Sequence, residues 1–144
     1  MNQYKKILVA IDGSEASKKG FKKALSIAKE SQSQLILTHV IDTRTFVTAE
    51  AYDRSIVERA NKYAYELIDE YEQAAKKEGI ENVEKCIEYG SPKVKIPKEI
   101  AKGFEVDLII CGATGLNAVE RFLIGSVSES ITRYAKCDVL VVRE

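Results

Sequence analysis

Apolar runs rich in β-branched residues alternate with segments of helical period along the whole chain, which is the sequence form of βαβ units on a parallel sheet. Five runs read as strands: Lys6–Ile11 (KILVAI), Gln34–Ile41 (QLILTHVI), Val83–Tyr89 (VEKCIEY), Val106–Cys111 (VDLIIC) and Asp138–Arg143 (DVLVVR). The first, second, fourth and fifth are nearly continuous apolar runs, as strands covered by helices on both faces require. The third interleaves Val83, Lys85, Ile87 and Tyr89 with Glu84, Cys86 and Glu88, a pattern suited to an edge.

Between the strands, Ser14–Ser31 sets Ala16, Phe21, Ala24, Leu25 and Ala28 on one helical face, with Ser14 or Asp12 available as its cap. From about Tyr52 to Lys77, Ile56, Ala60, Tyr63, Ala64, Leu67, Ile68, Tyr71, Ala74 and Ala75 recur at three- and four-residue steps, and Gly79 ends the pattern. A third helix is expected near Pro92–Lys102, with Pro97 delaying or kinking its start because it lacks an amide donor. A last helix follows Ser126 and runs to about Ala135, with Val127, Ile131, Tyr134 and Ala135 inward. The irregular stretch from Asp42 to about Ala51 follows the second strand, where a loop is placed to act as a flap over a site at the carboxyl ends of the strands.

At 144 residues the chain has the length of one domain, spanning 1–144, with no room for a separate catalytic module. Twenty-two basic residues balance 22 acidic ones, so no global field attracts nucleic acid or an anionic membrane. No apolar run approaches the roughly 20 residues of a bilayer span, and the amino terminus has no cleavable apolar segment. The expectation is a cytoplasmic protein without nucleic-acid or membrane partners. Cys86, Cys111 and Cys137 are widely spaced, form no CxxC pair and have only one histidine to assist them, so they are expected to be reduced thiols in or near the core.

Chemistry concentrates after the fourth strand, where Gly112-Ala-Thr-Gly115 is followed by nine residues and then by Gly125-Ser126-Val127-Ser128 at the start of the last helix. Glycines at 112 and 115 allow a sharp turn and close approach of backbone to a ligand. Gly125 and Ser126 would present amide donors at a helix amino terminus, where the macrodipole favours an anion. Thr114, Ser126 and Ser128 add hydroxyls, and Arg121 is a fixed positive charge able to clamp a terminal phosphate. The competing reading is a tight turn followed by a capping box made of Ser126 and Glu129. Spacing alone leaves both open, and neither GxxxxGK[ST] nor GxGxxG is present.

The chain resembles the universal stress protein family, and within it the ATP-binding branch whose signature is GxxG, nine residues, then G[ST]; Gly112, Gly115, Gly125 and Ser126 match it without a gap. The strings KKILVAIDGSEAS, LTHVID, YGSP and VDLIICG also fall where that family has similar ones, so the resemblance covers residues 4–143. It implies a single-domain α/β fold, a five-stranded parallel sheet of order 3-2-1-4-5 with helices on both faces. ATP is implied at the carboxyl ends of the first and fourth strands, a topological switch point. Carried over by position, Ala10, Ile11 and Asp12 lie beside the nucleotide and Val40 offers backbone groups to the adenine. Cys111 and Gly112 flank the sugar and base, and Gly115, Gly125, Ser126, Val127 and Ser128 hold the phosphates.

A bare carboxylate repels a triphosphate, so Asp12 is expected either to bind a ribose or base donor or to hold Mg2+ that bridges to phosphate oxygens; the alternative is a helix cap. His39 faces the layer opposite to Val40 and reads as structural. Cys111 reads as a small apolar wall, because no cluster of basic residues lies near it in sequence to activate a thiolate. Two positions depart from the family pattern. Ala113 or Thr114 stands where many relatives carry a polar or basic residue, often histidine, and Asp138 stands where proline is usual, placing a charge beside the strand through which relatives commonly dimerise. The resulting expectation is a homodimeric, ATP-binding, nucleotide-responsive regulator of the stress response with at most slow hydrolysis, since Asp12 and hydroxyls alone make a poor hydrolytic site. The alternative is a dimeric scaffold of the same family that binds no nucleotide. A phosphoryl-accepting receiver domain fits poorly, because the third strand ends in Tyr89-Gly90 and not in an aspartate.

Overall fold

A computed structural model describes residues 4–43, 54–114 and 124–143. Its strands are β1 Lys6–Ala10, β2 Gln34–Asp42, β3 Val83–Gly90, β4 Leu108–Gly112 and β5 Asp138–Val142. All neighbours pair in parallel, in the order β3-β2-β1-β4-β5. The helices are α1 Glu15–Ser31, α2 Arg54–Lys77, α3 Pro92–Val94, a π-helical turn Lys95–Ile100, α4 Ala101–Phe104 and α5 Ser126–Tyr134.

Parallel pairing leaves both faces of the sheet to be covered, and the pleat divides the apolar residues between two cores. Ile7, Val9, Leu35, Leu37, Leu108 and Ile110 face α1 and α2, meeting Phe21, Ala24 and Ile68. Leu8, Ile36, Val40, Ile109 and Cys111 face the other way, onto Ile96 and Ile100 of the π turn and Ile131 of α5. β1 is the central strand, and Ile7, Leu8 and Val9 are fully buried. Its start is tied to the far half of the chain by Asp107, whose carboxylate accepts the amides of Lys5 at 2.9 Å and Lys6 at 3.0 Å.

Three helices end in the same left-handed wrap, in which an amide reaches back five residues: Ser33 to Ala28, Ile80 to Ala75 and Val106 to Ala101. Of the residues turning these corners only Gly79 is glycine, and Gln32 and Glu105 adopt positive φ of 52° and 56°. That wrap is why β4 begins two residues later than the apolar run at 106–111 suggests, since the Val106 amide still belongs to α4. Near Pro97 the chain neither stops nor delays but widens, and the Ala101 amide bonds Ile96 O, five residues back. Pro97 has no N–H for the carbonyl of Lys93, and that carbonyl accepts the Ser130 hydroxyl of α5 at 3.0 Å instead.

β3 is an edge, as its alternation indicates. β5 is the other edge, and here the expectation of full burial fails: Asp138 is exposed and residues 139–142 are only half-buried. A continuous apolar run does not distinguish a covered central strand from an uncovered terminal one. Asp138 is engaged by Tyr4, whose hydroxyl donates to it at 2.7 Å. No helix among the described residues is long and apolar enough to cross a membrane.

Candidate functional site

β1 and β4 lie side by side, and the chain leaves their carboxyl ends toward opposite faces of the sheet, which makes this the topological switch point where sheets of this order have their ligand crevice. Ala10, Val40, Cys111 and Val127 meet on this face within one apolar cluster. Four residues expected on the nucleotide thus come together from β1, β2, β4 and α5.

Ile11 does not join them. It is the next residue in the pleat after Ala10, so its side chain turns to the α1–α2 core, where it is 3% exposed. Its backbone is also engaged: the amide donates to Thr38 O at 2.8 Å and the carbonyl accepts His39 Nδ1 at 2.7 Å. Because a carbonyl only accepts, the proton of this pair resides on Nδ1, and His39 is a brace holding the end of β1.

After Ile11 the backbone turns through Gly13 at φ +86°, and a Cβ there would stand 2.3 Å from the Tyr63 hydroxyl oxygen of α2. Asp12 is half-buried, and its Oδ1 accepts the Ser14 amide at 2.8 Å in an Asx turn. Ser14 is the cap of α1, its hydroxyl accepting the Ser17 amide at 3.1 Å. Asp12 therefore shapes the loop without capping the helix.

Gly112 is required by packing. A Cβ would lie 2.7 Å from both the carbonyl carbon and the Cβ of Ala16, and 2.8 Å from Ser17 N, so β4 and α1 touch backbone to backbone. Its carbonyl accepts the buried Ser128 hydroxyl. Ser128 spends its one hydroxyl proton inside the protein, which corrects the expectation that this hydroxyl donates to phosphate. A second correction concerns Gly125, whose amide donates to Ala113 O at 2.6 Å and is not an open donor.

The start of α5 decides between the two readings of the glycine-serine segment. Gly125, at φ −64° and ψ 159°, is the cap residue, and no side chain caps the helix. Ser126 is therefore the first helical residue and one place too late for a capping box. Glu129 pairs with Arg133 at 2.9 Å instead of folding back. The amides of Ser126, Val127 and Ser128 are the leading donors of a helix without a side-chain cap, at the mouth of the crevice.

Burial pushes the Cys111 thiol up to about 11, with Asp12 adding to the rise and the Ser128 hydroxyl opposing it, so Cys111 is a wall and not a thiolate nucleophile. Burial likewise raises Cys86 to about 11. No group of three or more His, Cys, Asp or Glu gathers as a metal site among the described residues. Asp12 is a single carboxylate, a donor set that suits Mg2+ only where phosphate oxygens and water complete the shell. Gly115, Arg121 and most of the expected flap lie outside the described residues. Ala16, Ser17 and Tyr63, which shape the loop and receive the glycines, were not singled out as site residues; the Ser14-x-x-Ser17 spacing is the one local signal for any of them.

The universal stress protein family model matches residues 3–143. A curated relative of that description from Staphylococcus haemolyticus is 48% identical over 143 residues, covering 99% of this chain and 87% of its own. Among solved structures, universal stress protein UspA from Lactobacillus plantarum superposes with a TM-score of 0.87 at 31% identity, covering 99% of this chain and 100% of that one. A universal stress protein solved in complex with cAMP gives a TM-score of 0.72 at 27% identity, covering 99% of this chain and 98% of its own.

Proposed function

This chain belongs to the universal stress protein family, and from that premise we propose that it binds an adenine nucleotide, ATP with Mg2+, in the crevice at the ends of β1 and β4, and acts as a nucleotide-responsive regulator. The observation that carries the proposal is the uncapped start of α5: amides of Ser126, Val127 and Ser128 stand at a glycine cap, where an anion supplies the acceptors that no side chain supplies. Ala10, Val40 and Cys111 give the apolar wall for the base and sugar. The relative solved with cAMP supports the adenine class.

In this reading Asp12 would hold Mg2+ with the phosphates, and the ion would supply the positive charge that offsets repulsion between that carboxylate and the phosphates. The chain's own residues position the ligand: His39 fixes the end of β1, the Asx turn orients Asp12, and Ser128 pins the α5 start to Gly112. Among the described residues at the crevice, Asp12 and hydroxyls make a poor set for activating water, so hydrolysis is proposed to be slow at most. The unpaired outer edge of β5, half-buried and apolar, suits pairing with a second copy, and the active form is proposed to be a homodimer.

Thermal unfolding with ATP, ADP, AMP or cAMP, each with and without Mg2+, tests the site. At 100 times its dissociation constant a ligand of the native state adds about 2.7 kcal/mol and shifts Tm by several degrees. A flat response to all four defeats the proposal and leaves the scaffold alternative. Sedimentation at micromolar concentration tests the dimer, and a monomer there refutes it.

A further inference from the structure

A groove of about 510 Å³ opens at the other end of α5, between the π turn, α4 and the entry to β5. It is at the amino ends of the strands, away from the crevice described above, and rests on none of the nucleotide reading. Its floor is apolar, formed by Pro97, Ala101, Val106 and the half-buried Cys137, and its volume falls in the range of roughly 300 to 1,000 Å³ usual for small-molecule sites.

The rim has a charge bias that the neutral chain as a whole lacks. Lys98, Lys102 and Lys136 line it against one carboxylate, Glu105. Lys29, Lys76, Lys85 and Lys95 are each engaged in ion pairs, whereas none of the three rim lysines forms one among the described residues. Two helices, α4 and α5, end at the groove with roughly half a negative charge each, and Asp107 and Asp138 stand beside the lining residues Val106 and Cys137, engaged by the Lys5 and Lys6 amides and the Tyr4 hydroxyl, so the positive bias is local to Lys98, Lys102 and Lys136 and is not a net charge of the whole groove. Lys98 Nζ is held 4.2 Å from the centre of the Tyr134 ring, which places an ammonium beside an aromatic surface that is itself 46% exposed.

We propose that this groove is a binding site for an amphipathic organic anion, a single carboxylate carried on an aromatic or short aliphatic body. The carboxylate is taken by Lys98 and Lys136, and the body covers Pro97, Ala101 and the Tyr134 ring. Lysines supply point charges on flexible stems and not a bidentate fork, which suits a lone headgroup of variable placement. A polyphosphate would set further negative charge against Glu105 and leave the apolar floor uncovered.

The test is an amide chemical-shift titration of the intact protein with 1-naphthoate, alongside its neutral analogue 1-naphthalenemethanol and inorganic phosphate. Saturable binding is expected, with the amides of Lys98, Ala101, Tyr134 and Cys137 moving together. The neutral analogue should bind at least about tenfold more weakly, and the exposed double variant Lys98→Gln/Lys136→Gln should raise Kd by at least about tenfold. The response to Mg-ATP should be the same in the double variant as in the parent, which separates failure of this site from failure of the nucleotide site. Naphthoate shifts that do not saturate by millimolar concentration, equal binding of the neutral analogue, phosphate competing on equal terms, or an unchanged double variant would each overturn the proposal.

Discussion

Gly112 of β4 and Ala16 of α1 meet with so little space that a Cβ on the glycine would overlap the alanine at 2.7 Å from two of its carbons. The contact is with main chain as well as side chain, so neither partner can swing aside. Gly112→Ala is expected to destabilise the fold by about 1 to 3 kcal/mol through forced separation of helix and strand. Urea denaturation checks this, and an unchanged midpoint would show that α1 yields freely.

Gly125→Asp should separate stability from binding. The cap residue has φ −64° and ψ 159°, which any residue adopts, so a side-chain acceptor there can satisfy the leading amides of α5. Without ligand the variant is expected to gain a few tenths of a kcal/mol, up to about 1 with the macrodipole. The same carboxylate occupies and repels the proposed phosphate position, so the thermal shift with Mg-ATP should vanish. A variant that keeps the full shift argues that phosphates bind elsewhere.

The Ser130 hydroxyl occupies the acceptor that Pro97 leaves unserved on Lys93. Ser130→Ala is expected to cost about 1 kcal/mol, and less in a Pro97→Ala background, where the restored amide at 97 can bond Lys93 O. A double-mutant cycle by chemical denaturation reads the coupling; strict additivity would mean the two groups do not share that carbonyl.

Alkaline pH should weaken the fold through Cys111. Its thiol is raised from 9.0 to about 11 in the native state. Below pH 9 its contribution is fully present. As pH climbs toward 11 the unfolded chain releases a proton that the native chain keeps, so stability falls by up to about 1.4 kcal/mol per pH unit for this group. Cys111→Ala should flatten the slope of unfolding free energy between pH 9 and 10.5 under reducing conditions, whatever it does to the level. An unaltered slope would mean the thiol titrates alike in both states.

Strand placement is legible because β-branched runs such as KILVAI and LIIC mark the strands, although DVLVVR shows that such a run does not state whether both faces are covered; the order 3-2-1-4-5 is implied by the family resemblance and by no single run. The residues after Cys111 were harder to read. GSVSE satisfies a capping box by spacing, yet the helix starts one residue earlier than such a box requires, with Gly125 as the cap and its amide given to Ala113. Gly112 was legible as a place where backbone must come close to something; that the something includes Ala16 needs the angle between α1 and β4, which no local pattern encodes. That the Ile11 side chain turns into the α1–α2 core is not legible from a motif position, which does not reveal which way a pleat turns. The missing amide of Pro97 points to a delayed or kinked helix start, but the carbonyl it leaves unserved is satisfied by Ser130, distant in sequence.

The carboxylate of Asp107 closing on the amides of Lys5 and Lys6 has a consequence for synthesis. The sheet's middle strand is translated first and its second neighbour comes much later, so one full flank of Lys6–Ala10 stays bare while the ribosome adds the intervening hundred or so residues, about 5 to 20 seconds at ordinary elongation rates. During that interval the nascent chain carries an open, strongly apolar ribbon that stays unpaired on one side until Asp107 and the strand behind it arrive.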